Sequence, residues 1–239
     1  MPIHIEAKET ELAKFVLLPG DPIRAKYIAE NFLSNIKMYN QNRLLYGFTG
    51  LYKDMEVSIQ ATGMGTPSLS IVVEELHMLG VKYFIRIGTC GSISNNLSLG
   101  DIIIVSGAHS SHDIYSVLFN GACLSGIPDF HLTSTLYNKS KDLKINTVVG
   151  PILTSETFYE ESFDLYKKFS HYNTLAVEME SYALFNICAK HRTKSAAILT
   201  VSDIVFKQIR AEKDIIKNGV DNMTKIILEA LYEYKNLIQ

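Results

Sequence analysis

The chain has 239 residues, 47% of them hydrophobic, which is enough for one large buried core, and no Pro-, Gly- or Ser-rich linker, charge run or repeat divides it. Its 23 basic and 25 acidic residues leave a formal net charge of -2, so nothing global attracts nucleic acid or an anionic membrane, and any anion must be held by a few placed residues. Three scattered cysteines, Cys90, Cys123 and Cys188, argue against a disulfide framework or a zinc site. The charged opening stretch MPIHIEAKETELAKF lacks the apolar core of a signal peptide, and no apolar run approaches the ~20 residues of a membrane span. A soluble, cytoplasmic protein is expected.

In chain order, Phe15 to Leu18 reads as a buried strand stopped by Pro19-Gly20. Asp21 and Pro22 then start a helix through about Asn31, with the aspartate as N-cap. Leu44 to Thr62 holds two strand-like runs around Tyr52-Lys53-Asp54, a hairpin pattern. Gly63-Met64-Gly65 breaks the chain, and Thr66-Pro67 opens a helix predicted to turn Ile71, Val72, Leu76 and Leu79 inward before Gly80 ends it. Tyr83 to Ile87 is a strand running into Gly88-Thr89-Cys90-Gly91; Asp101 to Val105, Val148 to Leu153 and Leu175 to Val177 are further strands. A helix follows from about Met179 to Lys190, then a long strand from Ala196 to Val201 that ends at Ser202-Asp203. The last helix, about Asp214 to Tyr234, carries apolar residues at 216, 220, 223, 227, 230 and 231. Strand–helix alternation with continuous apolar strands predicts an α/β fold around a mixed sheet, with ligands gathered at the carboxyl ends of the strands.

Four places carry chemistry. Gly20-Asp21-Pro22-Ile23-Arg24 offers backbone N–H groups at a helix start, which suit an anion, and Arg24 adds a charged fork; a plain loop with a solvated arginine is the other reading. Arg86 stands in an otherwise apolar strand, where a guanidinium must either pair with a buried carboxylate or face a site. Glu178 and Glu180 follow a buried strand: one of them suits paired sugar hydroxyls, unless both are solvated acids at a helix start. Asp203, at the mouth of an apolar strand, becomes a proton donor near neutral pH if desolvation raises its pKa, and is otherwise a turn cap beside Ser202.

The stretches LLPGDPIRAKYIAENFL, NRLLYGFTGLYK, GMGTPSLSI, IRIGTCGS, TSETFYE, VEMESYAL and TVSD, in this order and spacing, resemble the hexameric bacterial type of purine nucleoside phosphorylase, in the nucleoside phosphorylase superfamily. The resemblance runs from His4 to the last helix. It implies a three-layer single domain over residues 1–239, with a central mixed β-sheet flanked by helices. It implies a phosphate site made of Gly20, Arg24, Arg86 and Thr89, completed by Arg43 from a neighbouring subunit. His4 is implied to cross the same interface to the sugar 5′-hydroxyl. Met64, Met179 and Glu180 are implied at the ribose, with Glu180 on the 2′ and 3′ hydroxyls; Cys90, Gly91, Phe158, Val177 and Glu178 line the nucleoside, with Phe158 and Val177 sandwiching the base. Ser202 and Asp203 face the purine N7 edge, where Asp203 acts as general acid. Phosphate is the second substrate, so no metal or organic cofactor is expected, and the implied assembly is a hexamer built as a trimer of dimers.

One departure stands out. The family usually carries an arginine thirteen residues after this aspartate that helps it donate its proton; the ungapped position here is Ile216, with Arg210, Lys213 and Lys217 as candidate substitutes. Three other readings are weighed. A uridine phosphorylase lacks the acid that Ser202-Asp203 supplies. A nucleosidase that uses water does not need Arg24, Arg43 and Arg86 converging on phosphate. A catalytically inactive nucleoside-binding relative is the reading that the missing arginine leaves room for.

Overall fold

The computed structural model describes residues 1–112, 115 and 118–237. The first strand, β1 (Phe15–Leu18), is buried along its whole length. Phe15 and Leu17 face one helical layer while Val16 and Leu18 face the other, as the period of two requires of a strand covered on both faces. The Asp21 side chain caps α1 (Pro22–Phe32) by accepting from Ile23 N at 2.8 Å, with Pro22 at the first helical position. An exposed strand, β2 (Ser34–Asn40), precedes the expected hairpin of β3 (Gly47–Tyr52) and β4 (Met55–Gln60).

Gly63 and Gly65 take φ values of 72° and 85° before α2 (Thr66–Met78), a left-handed backbone that glycine adopts without a Cβ penalty. The inward stripe of α2 is Leu69, Val72, Val73 and Leu76: Val72 and Leu76 turn inward as expected and Leu79 packs partly buried beside them, but Ile71 is 45% exposed, because at 100° per residue it falls on the opposite face from Leu69 and Leu76. β5 (Tyr83–Ser92) continues through Gly88-Thr89-Cys90-Gly91 instead of breaking there. Next come β6 (Ile102–Ser110), α3 (Phe130–Asp142), β7 (Thr147–Thr154), α4 (Asp164–His171) and β8 (Ala176–Glu178). α5 (Ser181–Lys190) starts two residues later than expected, and β9 (Lys194–Ile204) runs past Asp203 into a short antiparallel partner, β10 (Ile209–Arg210). α6 (Lys213–Leu237) closes the chain.

The strands form one mixed sheet in the order β10-β9-β6-β7-β8-β5-β1-β4-β3-β2. β5 pairs with β9 as well, so β5, β8, β7, β6 and β9 close into a ring. Helices α1, α3 and α6 cover one face through Ala25, Ile28, Leu132, Leu136, Met223 and Ile227, and α2 and α5 cover the other through Leu69, Leu76, Leu184 and Phe185. Each large apolar side chain buried this way contributes roughly 1.5–3 kcal/mol. α6 comes so near β9 at Gly219 that a Cβ there would collide with Thr200. Among the described residues, no helix is long and apolar enough to cross a membrane.

Candidate active site

A cavity of about 820 Å³ opens where β1, β5, β8 and β9 end, and every site residue expected from the sequence lines it except His4 and Arg43. At one end stands the turn after β1. Gly20 is required there: a Cβ would lie 2.9 Å from Gly63 O. The Asp21 cap fixes the first turn of α1 and with it Arg24, which is half-buried at the cavity wall. Burial is the largest influence on Arg24 and lowers its pKa; Asp21 and Glu180 oppose this, and the charge of nearby Arg86 adds to it.

Arg86 is 4% exposed, and both sequence-level alternatives hold for it: it lines the cavity and it is paired with buried acids. Its Nε donates to Glu178 Oε2 at 2.8 Å, and its Nη2 pairs with Glu180. Burial alone would lower the Arg86 pKa, but Glu180 and Glu178 outweigh it and raise it, so the guanidinium stays charged. Glu178 is saturated: its oxygens also accept from Thr154 Oγ1 at 2.6 Å, Glu180 N at 3.0 Å and the Ser181 hydroxyl at 3.0 Å. It therefore acts here as the anchor of Arg86 and of the start of α5. Glu180 accepts from Gly65 N at 2.6 Å, at the N-terminus of α2. Two carboxylates facing one guanidinium leave a surplus negative charge; burial first, and then Glu178, raises the Glu180 pKa against the pull of Arg86.

The other end is built by a β-bulge. Cys90 pairs with Val201 but Gly91 with Asp203, so Ser202 is the extra residue on β9. The Ser202 hydroxyl lies 2.6 Å from Asp203 Oδ2 and 3.2 Å from Cys90 O. Of the two readings of Asp203, full desolvation does not hold: its side chain lines the cavity and is 36% exposed. Arg210 on β10 is its register partner, with Nε 3.7 Å from Oδ1. Of the candidate substitutes for the missing arginine, Arg210 is the one that lines the cavity; Lys217 is turned to Asp221 at 3.3 Å, and Lys213 and Ile216 are not in the lining. Gly91 faces Val177 across the β5–β8 ladder, and a Cβ on it would meet Val205 at 2.7 Å. Phe158, 65% exposed, and Met64, 81% exposed, stand at the rim. Thr89, Cys90 and Met179 complete the wall; burial pushes the Cys90 thiol pKa up, which leaves it protonated and unreactive.

His4 and Arg43 lie outside this cavity. Arg43 is exposed with φ 52° in a 3-10 turn (Asn42–Leu44), a left-handed backbone that it shares with Leu44 beside it. His4 is held by Glu75, whose carboxylate accepts from His4 N at 2.7 Å and lies 2.7 Å from His4 Nδ1. The sequence reading did not single out Glu75, nor Tyr166 and Gln208 in the cavity wall. Two consecutive acids, Glu74-Glu75, between the apolar residues Val73 and Leu76 of α2 are the available signal for Glu75; nothing local marks Gln208, which takes φ 53° without being glycine.

Residues 14–232 match the family model of the Phosphorylase superfamily. A purine nucleoside phosphorylase DeoD-type from Thermoanaerobacter sp. (strain X514) is 46% identical over 230 residues, covering 96% of this chain and 99% of that protein. Proteins of the same name from Alkaliphilus metalliredigens (strain QYMF) and Bacillus cytotoxicus are 44% and 43% identical, again over 96% of this chain and 99% and 98% of theirs.

Proposed function

The chain belongs to the Phosphorylase superfamily, and from that premise we propose that it is a purine nucleoside phosphorylase, which transfers the ribosyl group of a purine nucleoside to inorganic phosphate. The observation that carries this reading is the polarity of the cavity: Arg24 and Arg86 at one end, the buried carboxylate of Glu180 between, and Asp203 with Arg210 at the other.

In this reading phosphate lies against Gly20 N–H, Arg24, Arg86 and Thr89, and takes over part of the Arg86 guanidinium from Glu180. Glu180 then accepts from the 2′ and 3′ hydroxyls of the ribose, beside Met64 and Met179. Phe158 stacks on the purine with Val177 on its other face. Cleavage of the glycosidic bond leaves positive charge on the sugar, which the phosphate dianion stabilises before it attacks C1′. Negative charge collects on the departing purine. Asp203 gives its proton to N7, and the carboxylate left behind is stabilised by Arg210, which stands where the family's usual arginine is missing. General acid help of this kind is worth roughly two to four orders of magnitude in rate, and holding phosphate and nucleoside together adds the proximity term. No step needs a metal or organic cofactor, because phosphate is the nucleophile.

Arg43 and His4 complete the site from a second copy of the chain, in a hexamer built as a trimer of dimers. Their position outside their own chain's cavity and the exposure of Arg43 support this. A cytoplasmic location agrees with the three free cysteines. The test is turnover of inosine, adenosine and uridine with phosphate, together with the mass in solution. Purine turnover with ribose 1-phosphate as product is expected; uridine turnover that matches or exceeds it would move the protein to the pyrimidine branch.

A further inference from the structure

The N-terminal segment is tied down by a single carboxylate. Glu75, on α2, is 7% exposed although charged, and its two oxygens are shared among donors from the first residues of the chain. Oε2 accepts from His4 N at 2.7 Å and from Ile5 N at 2.8 Å, while Oε1 lies 2.7 Å from His4 Nδ1. Ile5 is 3% exposed and packs on the α2–α5 side of the core, so the anchor is both polar and apolar. An ionised carboxylate only accepts, so the proton in the Nδ1 contact belongs to the ring. That fixes one face of the imidazole: Nδ1–H points inward to Glu75, and in the neutral ring Nε2 is left outward with a free lone pair.

We propose that Glu75 is a positioning residue for the nucleoside 5′ end: it fixes the ring orientation and tautomer of His4, so that Nε2 accepts a hydrogen bond from the 5′-hydroxyl of a nucleoside bound in a neighbouring copy's cavity. This rests on the phosphorylase reading and on His4 serving a second copy. It makes discrimination between nucleosides with and without a 5′-hydroxyl depend on a residue that touches no substrate. Burial alone would raise the Glu75 pKa, but the His4 ring and the N–H donors of Ile5 and His4 outweigh it, which keeps the carboxylate in its acceptor-only form.

Glutamine at this position is nearly isosteric. With its amide oxygen accepting from the His4 and Ile5 N–H groups the tether is kept, but its NH2 group then faces Nδ1, which must become the acceptor, so the tautomer is reversed and Nε2 carries the proton while the fold is kept. The experiment compares kcat/KM for inosine and 5′-deoxyinosine, with phosphate saturating, in the wild type, Glu75→Gln, Glu75→Asp, His4→Ala and the Glu75→Gln/His4→Ala double variant. A single hydrogen bond to a neutral group predicts that Glu75→Gln lowers kcat/KM for inosine about three- to tenfold, chiefly through KM, and leaves 5′-deoxyinosine unchanged. Glu75→Asp, still acceptor-only but one methylene shorter, falls between. In the His4→Ala background the Glu75 change has no further effect. Equal losses on both substrates, or a full Glu75→Gln loss on inosine when His4 is already alanine, would overturn the proposal and leave Glu75 a purely structural residue. A wild type that does not turn over inosine would instead count against the phosphorylase reading itself.

Discussion

Arg210 stands directly across the β9–β10 ladder from Asp203, with its Nε 3.7 Å from Oδ1. The pairing follows from the strand continuing one residue beyond Asp203 and returning through the 3-10 turn Val205–Lys207, so a cation reaches the acid from β10 and not from α6. Arg210 is 72% exposed, so the ion pair does little for the resting protein; in the proposed mechanism it acts when a bound purine excludes water from it.

Removing the acid separates these roles. Asp203→Asn should lower kcat with inosine by roughly two to four orders of magnitude while phosphate binding is retained, measured by steady-state kinetics and phosphate titration. Activity within twofold of the wild type would remove Asp203 from its role.

The charge partner should matter less. Arg210→Ala is expected to lower kcat about tenfold, a barrier change of ~1.4 kcal/mol. Because the side chain is exposed, unfolding stability should move by no more than about 0.5 kcal/mol. Lys217→Ala, which breaks the Asp221 pair and the contact with the Tyr27 ring, should leave kcat within about twofold, since it touches no part of the cavity. The reverse ranking of the two variants would place the helper cation on α6.

Arg86 joins stability to function. Arg86→Gln leaves Glu178 and Glu180 buried without their cation, at a cost of about 3–5 kcal/mol in the urea-unfolding free energy. Phosphate should protect the wild type from unfolding and fail to protect this variant. A variant as stable as the wild type would mean that the two carboxylates are not charged against Arg86.

Acid should destabilise the fold, and the sign follows from the shifts. The carboxyls of Glu74, Glu75 and Glu229 are held below their ordinary 4.5. Burial opposes this at Glu74 and Glu75 but is outweighed by Lys190 and His191 and by the His4 segment; at Glu229 the Lys53 ammonium and the Tyr52 hydroxyl are the cause. A depressed carboxyl contributes stability above its unfolded pKa and loses it as pH falls through the folded one. His77, stacked on His191 with centroids 3.8 Å apart, is lowered from 6.5 by burial and then by the His191 charge, so its protonation is also favoured in the unfolded chain. Glu180, raised by burial and by Glu178, gains stability as pH falls toward 4.5 and so opposes His77; below about pH 4.5 the depressed carboxyls decide, and urea midpoints should fall. A midpoint that rises as pH falls below about 4.5 would contradict these assignments.

What could be read from the sequence was what is written locally. Four consecutive apolar residues before Pro19-Gly20 announce β1, and Asp21-Pro22 announces α1. Arg86 was conspicuous as a charge in an apolar strand, but its partners, Glu178 and Glu180, lie more than ninety residues away and no local pattern names them. β2 has no buried face to produce an alternating pattern, and α4 buries only Tyr166, so neither leaves a periodic signal in the sequence. α3 hangs on the Asp129 cap and on Leu132, Leu136 and Ser140, too sparse a stripe to stand out. The bulge at Ser202 and the return of β10 depend on register, which only the folded sheet defines.

Phosphate, not water, is the proposed nucleophile, and the direct measurement is release of hypoxanthine from inosine in buffers with and without phosphate, with the sugar product identified. Release is expected only when phosphate is present, with ribose 1-phosphate formed in equal amount. Release at the same rate without phosphate, with free ribose as the product, would contradict it.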